Sequence, residues 1–300
     1  YKLIIIFMKK EVSMVYLKTF TLLDDIQEHN IVCYEEIRKI FNNYYPLHLF
    51  SNKSFKYIDF DKITIFYGGN GSGKTTLINI ISEKLNASRK SSIDKGSYFD
   101  LYVKHCDYEM SFDGPTEIKL ITSDDVFDYL LNIRSINANV NRQKKLSKEY
   151  LDYKFNKNGN SFDNYDELKT SCETKRKSMS KFVRERLGNN NIMEWSNGES
   201  ALMFWEREIE ENSIYILDEP ENSLSAENQL KLKKFIEDSV RFYNCQFIIS
   251  THSPFLLKLM DAKIYDLDQI PVTTKDWTEL PNVLVYYNFF KKHEDEFNKK

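Results

Sequence analysis

The sequence predicts an α/β fold with a largely parallel sheet, and three observations carry that prediction. Short, nearly continuous apolar runs at 63–67, 213–217 and 246–250 suit strands buried on both faces. Amphipathic stretches alternate with them, as in parallel α/β proteins. A glycine cluster, Gly68 to Gly73, follows the first run directly and leads into a helical apolar pattern.

Taken in order, residues 63–67 read as a strand running into Gly68, and 77–85 as a helix with Leu77, Ile78, Ile81 and Leu85 on one side. Two β-rich segments follow, 99–104 and 117–121. The runs 213–217 and 246–250 are separated by a helix whose stripe is Leu232, Phe235, Ile236 and Val240. Residues 262–267 read as a last strand and 283–297 as a closing helix.

The chain has 300 residues, 41% hydrophobic and 29% charged, with a net charge of −3, the balance of a globular protein. Glycine is scarce (9), which makes a cluster of it informative. Cys33, Cys106, Cys172 and Cys245 form no close pair, which argues against a zinc ribbon, a redox pair or a disulfide framework. The apolar run 3–8 is too short for a signal-peptide core or a membrane span, so the expected location is cytoplasmic with no membrane partner. Met8 and Met14 are both candidate natural starts.

Residues 142–186 differ from the rest. They hold 13 Lys or Arg against 7 Asp or Glu, a balance of +6 that leaves −9 for the remainder. The reading is a single domain, 1–300, with a basic helical lid inserted at 142–190.

Gly68-Gly69-Asn70-Gly71-Ser72-Gly73-Lys74-Thr75 fits the pattern GxxxxGK[ST]. Glycines let successive backbone N–H groups turn inward around phosphates, and a following helix presents its positive end. Lys74 is expected to reach the β- and γ-phosphates, and the Thr75 hydroxyl to ligate Mg²⁺. Thr76 joins the same nucleotide-binding set. The run 213–217 ends in Asp218 and Glu219 at the carboxyl edge of the sheet, where ligands bind in open α/β folds. Asp218 is expected to hold Mg²⁺ through water, and Glu219 to act as general base on the attacking water.

With these motifs, the chain resembles an ABC-type ATPase head of the RecF/SMC-like branch. Ser196-Asn197-Gly198-Glu199-Ser200 resembles the signature, Glu221-Asn222-Ser223-Leu224-Ser225 the D-loop, and Ser250-Thr251-His252-Ser253-Pro254 the switch-histidine loop. The stretches LDEPENSLS and IISTHSPFLL look like the small AAA/ABC ATPases related to overcoming-lysogenization-defect proteins. The resemblance implies a P-loop NTPase with a mixed β-sheet core, an antiparallel β subdomain and a small helical insert.

It also implies ATP and Mg²⁺ as ligands, and a homodimer closed by ATP. In that dimer Ser196 and the Gly198 amide touch the γ-phosphate of the other subunit, and His252 senses it. Ser196 to Glu199 equally fits a helix capping box. Gln143, the sole Gln between the phosphate loop and the signature, lies in the basic insert, so Ser123 and Asp124 are the candidates for the Q-loop position. Phe50, Phe55 and Tyr57 are the candidates for stacking on adenine.

The stretch from Lys74 to Ser196 is too short for a long coiled-coil arm, and the stretch after His252 too short for a nuclease domain. Two roles stay open. One is DNA handling or phage defence, with DNA or RNA on the basic insert and Tyr150, Tyr153 and Phe155 among its charges. The other is an ATP-gated switch for an effector protein encoded nearby, with no nucleic-acid contact.

Overall fold

In the computed structural model, the described residues are 15–34, 44–93, 95–132, 145–148, 151, 197–222 and 224–298. The chain divides into two units, residues 1–127 with 202–300, and residues 128–201. The first carries both sheets. The second, which contains the basic insert, lies mostly outside the described residues.

Among the described residues, nine strands form two sheets. Strands β1 (Leu17–Thr21), β2 (Tyr57–Asp59) and β4 (Asp107–Met110) make an antiparallel sheet in the order β2-β1-β4. Strands β3 (Ile63–Tyr67), β5 (Ile118–Thr122), β6 (Ile214–Asp218), β7 (Gln246–Ser250), β8 (Lys263–Asp266) and β9 (Thr273–Thr274) make the main sheet in the order β5-β6-β7-β3-β8-β9. All of its pairings are parallel except β8 with β9. The mixed sheet and the antiparallel subdomain are those the sequence implied.

Among the described residues the helices include α1 (Asp25–Tyr34), α2 (Lys74–Lys84), α3 (Phe99–His105), α4 (Asn197–Glu208), α5 (Ala226–Phe242), α6 (Pro254–Leu257), α7 (Pro281–Lys292) and α8 (Glu294–Phe297), and residues 123–132 are helical as well. Helix α2 buries Leu77, Ile78, Ile80 and Ile81, and these pack in one cluster with Phe66, Ile216 and Ile248 of the main sheet and Leu17, Phe20 and Ile58 of the antiparallel sheet. Burial of each such side chain contributes about 1.5–3 kcal/mol.

A polar residue joins the two sheets. Gln246, fully buried, accepts the Leu17 amide at 2.8 Å and donates to the carbonyls of Leu17 (2.9 Å) and Asp61 (3.1 Å). It satisfies backbone groups at the margin where the sheets meet.

Two expectations are corrected. Residues 99–104, read as β-rich, form helix α3. Phe99, Tyr102 and Val103 are buried at spacings of three and four, which is a helical face, and the β-rich composition hid that period. Asp100 in the first turn and Lys104 and His105 in the last complement the helix dipole. The closing helix starts at Pro281 and breaks at His293 into α7 and α8. The runs 3–8 and most of 142–190 lie outside the described residues.

Candidate functional site

Parallel pairing brings the carboxyl ends of neighbouring strands together, and the candidate residues lie there. Asp218 ends β6 opposite Ser250 of β7 and Thr122 of β5. The phosphate loop leaves β3 two places along, and α2 begins at Lys74. Two different constraints call for glycine in the loop. Gly73 has φ +99°, a region costly for any residue with a Cβ. At Gly68 a Cβ would stand 2.6 Å from the Ser72 hydroxyl.

Asn70, Gly71, Ser72, Gly73, Lys74, Thr75, Thr76 and Glu219 line an open cleft of about 440 Å³. The Lys74 ammonium is nearly buried, donates to the carbonyls of Gly68 (2.8 Å) and Gly69 (3.1 Å), and lies 3.6 Å from Glu219 Oε1. The Thr75 hydroxyl donates to Asp218 Oδ1 at 3.3 Å, and Ser250 donates a short hydrogen bond to the same oxygen. Burial raises the Asp218 pKa above its ordinary value, against the lowering effect of these two hydroxyls. A hydroxyl and a carboxylate side by side are the hard oxygen donors that suit Mg²⁺, so the residues present fit that ion.

Glu219 is held in an uncommon backbone conformation, φ +46°. Its amide donates to both the carbonyl (3.0 Å) and the hydroxyl (3.1 Å) of Ser250. Asn222 donates to its Oε2 at 3.0 Å, and the His252 Nδ1 lies 3.8 Å from its Oε1. The structure therefore brings Asp218 and His252 into contact with Thr75 and Glu219, which line the cleft with Lys74.

The switch loop owes its shape to local chemistry. Ser253 accepts from the amides of Phe255 and Leu256 as the cap of α6, and Pro254 takes the first helical position. Sequence reading missed the group behind this loop. Glu221, read only as part of the D-loop stretch, is 5% exposed, and its Oε1 accepts from the Thr251 hydroxyl (2.6 Å), the His252 amide (3.0 Å) and the Ser253 amide (3.2 Å). Burial raises its pKa, against these hydrogen bonds.

Two braces outside the motif were also missed. Asp268 accepts the Gly69 amide at 2.8 Å, and Lys53 donates to the carbonyls of Ser72 (2.5 Å) and Leu267 (2.8 Å). Of the aromatic candidates, Phe50 and Phe55 are sealed in the core and Tyr57 is exposed on β2. Tyr45 lines the cleft with Leu49 instead, and its hydroxyl donates to Thr76 at 3.0 Å. Core packing, invisible in sequence, removes Phe50 and Phe55 from contact with a ligand. Thr122 and Asp125 cap the helix that contains Ser123 and Asp124, at the same carboxyl edge. Ser196 lies outside the described residues, and Gly198 falls in the first turn of α4.

A phosphate loop on a parallel sheet, with an acidic pair ending the strand two places along, defines a P-loop ATPase. The family profile described as ABC transporter matches residues 52–222, more than half of the chain, and the chain belongs to this ABC-type ATPase family. A profile described as AAA ATPase domain matches residues 188–257. No curated protein matches the sequence.

Among solved structures, the SMC head domain from Thermotoga maritima is 12% identical over 87% of this chain and 99% of its own, with a TM-score of 0.35. The Smc head domain from Pyrococcus furiosus, with an extended coiled coil and bound to the C-terminal domain of ScpA, is 15% identical over 77% and 95%, with a TM-score of 0.35. A protein described as a metal-chelate type ABC transporter, inward-facing, is 16% identical over 77% and 80%, with a TM-score of 0.37. Among the described residues no helix is long and apolar enough to cross a membrane.

Proposed function

We propose that this ATPase binds ATP with Mg²⁺ in the Gly68–Thr75 loop and hydrolyses it with Glu219 as general base, in a site that a second copy completes. The observation that carries this reading is the clustering of five side chains: Lys74, Thr75 and Glu219 line the cleft, Asp218 accepts from Thr75, and His252 lies 3.8 Å from Glu219. Backbone amides of the loop and the start of α2 hold the phosphates. Lys74 exchanges the Gly68 and Gly69 carbonyls for phosphate oxygens. Thr75 and Asp218 would hold Mg²⁺, which would supply charge neutralisation for the transferred phosphoryl group. Glu219 takes a proton from the attacking water, and the fixed Ser250 contacts keep its backbone in place while it does so. His252 positions the γ-phosphate side, and Tyr45 bears on the base or ribose. Ser196 and Gly198 of the partner copy close the site, by the family resemblance.

For the use of the cycle, the effector-switch reading is favoured over DNA handling or phage defence on nucleic acid. Helix α7, joined to the switch loop by the Asn282 side chain donating to the His252 carbonyl (2.7 Å), exposes Tyr286, Tyr287, Phe289 and Phe290. Such aromatic surface suits a protein partner. The +6 insert is what supports the nucleic-acid alternative.

The test is Glu219→Gln. It slows ATP turnover by roughly 10²–10⁴-fold while ATP still binds, and ATP then accumulates a dimer by light scattering. Unchanged turnover removes Glu219 as the base, and a strictly monomeric ATP-bound species refutes the shared site.

A further inference from the structure

A second cavity, of about 580 Å³, lies behind the switch loop, apart from the phosphate cleft. Its walls are mainly apolar and aromatic, with Trp277, Leu284, Tyr286, Tyr287 and Phe290 from the C-terminal segment. One acidic group belongs to the same wall. Glu221 is 5% exposed; its Oε1 is fully engaged by the switch loop, and its Oε2 has no hydrogen-bond partner among the described residues. A buried carboxylate oxygen left unmatched is costly, and an apolar occupant would keep it so.

We propose that this pocket receives an arginine side chain of a protein partner, its guanidinium paired with Glu221 and flanked by the aromatic rings. A guanidinium is planar, weakly hydrated and stacks on aromatic faces, so it meets both features of the pocket. The Trp277 ring already has a cation beside it, the Lys258 ammonium 5.5 Å from its centroid. The source is a protein because the apolar wall does not end at the pocket mouth. Val285, Phe289 and Phe297 stay exposed next to it on α7 and α8, a surface for the apolar residues that flank an anchoring arginine.

The pocket is wired to the switch loop twice. Glu221 Oε1 holds residues 251–253, and Asn282 on α7 holds the His252 carbonyl. An arginine seated there bears on both links. This consequence for turnover rests on the ATP-hydrolysis reading, whereas the binding itself does not.

The test uses the full chain and two blocked peptides of the same shape, acetyl-Leu-Arg-Phe-amide and its neutral citrulline counterpart, followed by calorimetry. The arginine peptide binds at least ~10-fold more tightly, the scale of one charge-assisted hydrogen bond. Glu221→Gln erases that preference. Leu284→Trp, which fills the pocket from a partly exposed position and leaves the switch loop's contacts in place, abolishes binding of both. Equal affinity for the two peptides, or no binding of either at millimolar concentration, overturns the proposal. A chain that binds the arginine peptide without ATP turnover faults the hydrolysis reading and upholds the pocket. One that turns over ATP and binds neither peptide overturns the pocket alone.

Discussion

Asp268 accepts the Gly69 amide proton at 2.8 Å, so the exit of the strand β8 holds the phosphate loop from outside its motif. Lys53 holds the same loop at the Ser72 carbonyl. The loop is thus fixed before any phosphate arrives, which limits the ordering that binding must supply. Asp268→Ala removes the brace and lowers stability by about 1 kcal/mol. Asp268→Asn keeps an acceptor and sheds a negative charge beside the phosphates, so its ATP affinity equals or exceeds that of the native chain, while the Ala variant binds several-fold more weakly. Equal affinities for the Asn and Ala variants, by fluorescent-nucleotide titration, would show that Asp268 does not brace the loop.

Tyr45 is the aromatic that faces the nucleotide cleft. Tyr45→Ala weakens ATP binding by roughly tenfold, the scale of one base–aromatic stack. Tyr45→Phe keeps the ring, loses the bond to Thr76, and costs less than threefold. The Phe50 and Phe55 positions behave differently, since truncating either opens the core and shows as a lower melting temperature.

Gln246 serves three backbone groups from inside the core. Gln246→Leu takes away the acceptor of the Leu17 amide and the donor to the Leu17 carbonyl, leaves the Asp61 carbonyl only its longer bond from the Thr64 hydroxyl (3.4 Å), and a loss of about 2–4 kcal/mol is expected despite the apolar gain. Urea unfolding measures it. A neutral or stabilising result would mean the two sheets separate enough to admit water there.

Glu221 gives a pH signature. Its folded pKa is raised by burial above the ordinary 4.5, so between that value and the raised one the folded state holds more protons than the unfolded state. Its contribution to stability is then greatest at low pH and falls as pH rises through that window. Glu221→Gln preserves an acceptor for residues 251–253 and cannot titrate. The variant therefore gains stability relative to the native chain as pH climbs from about 4.5, in melts compared pH by pH. A difference that is flat with pH, or that shrinks, would contradict the assignment. Asp218 is raised in both proteins and cancels in the comparison.

Much of this protein was legible in sequence because its signals are local. The apolar runs at β3, β6 and β7 survive as strands because both faces of each are covered, and the glycine pattern survives because Gly68 and Gly73 answer to steric limits that act within a few residues. Asp218 and Glu219 were legible for the same reason, since a strand delivers whatever follows it to the sheet edge. Helix α3 was misread where a helical period was hidden under β-forming residues and only burial decided between the two.

The sequence by itself determined the strand–loop–helix unit, the acidic pair and the order of the family motifs. The tertiary structure alone decided that Asp268 and Lys53 brace the loop, that Tyr45 rather than Phe50 or Phe55 lines the cleft, and that Glu221 carries the switch loop on one carboxylate oxygen. The physical reason is separation along the chain. Asp268 lies 199 residues from Gly69, and Glu221 lies 30 from Thr251, so each contact exists only once the parallel sheet has set its strands side by side.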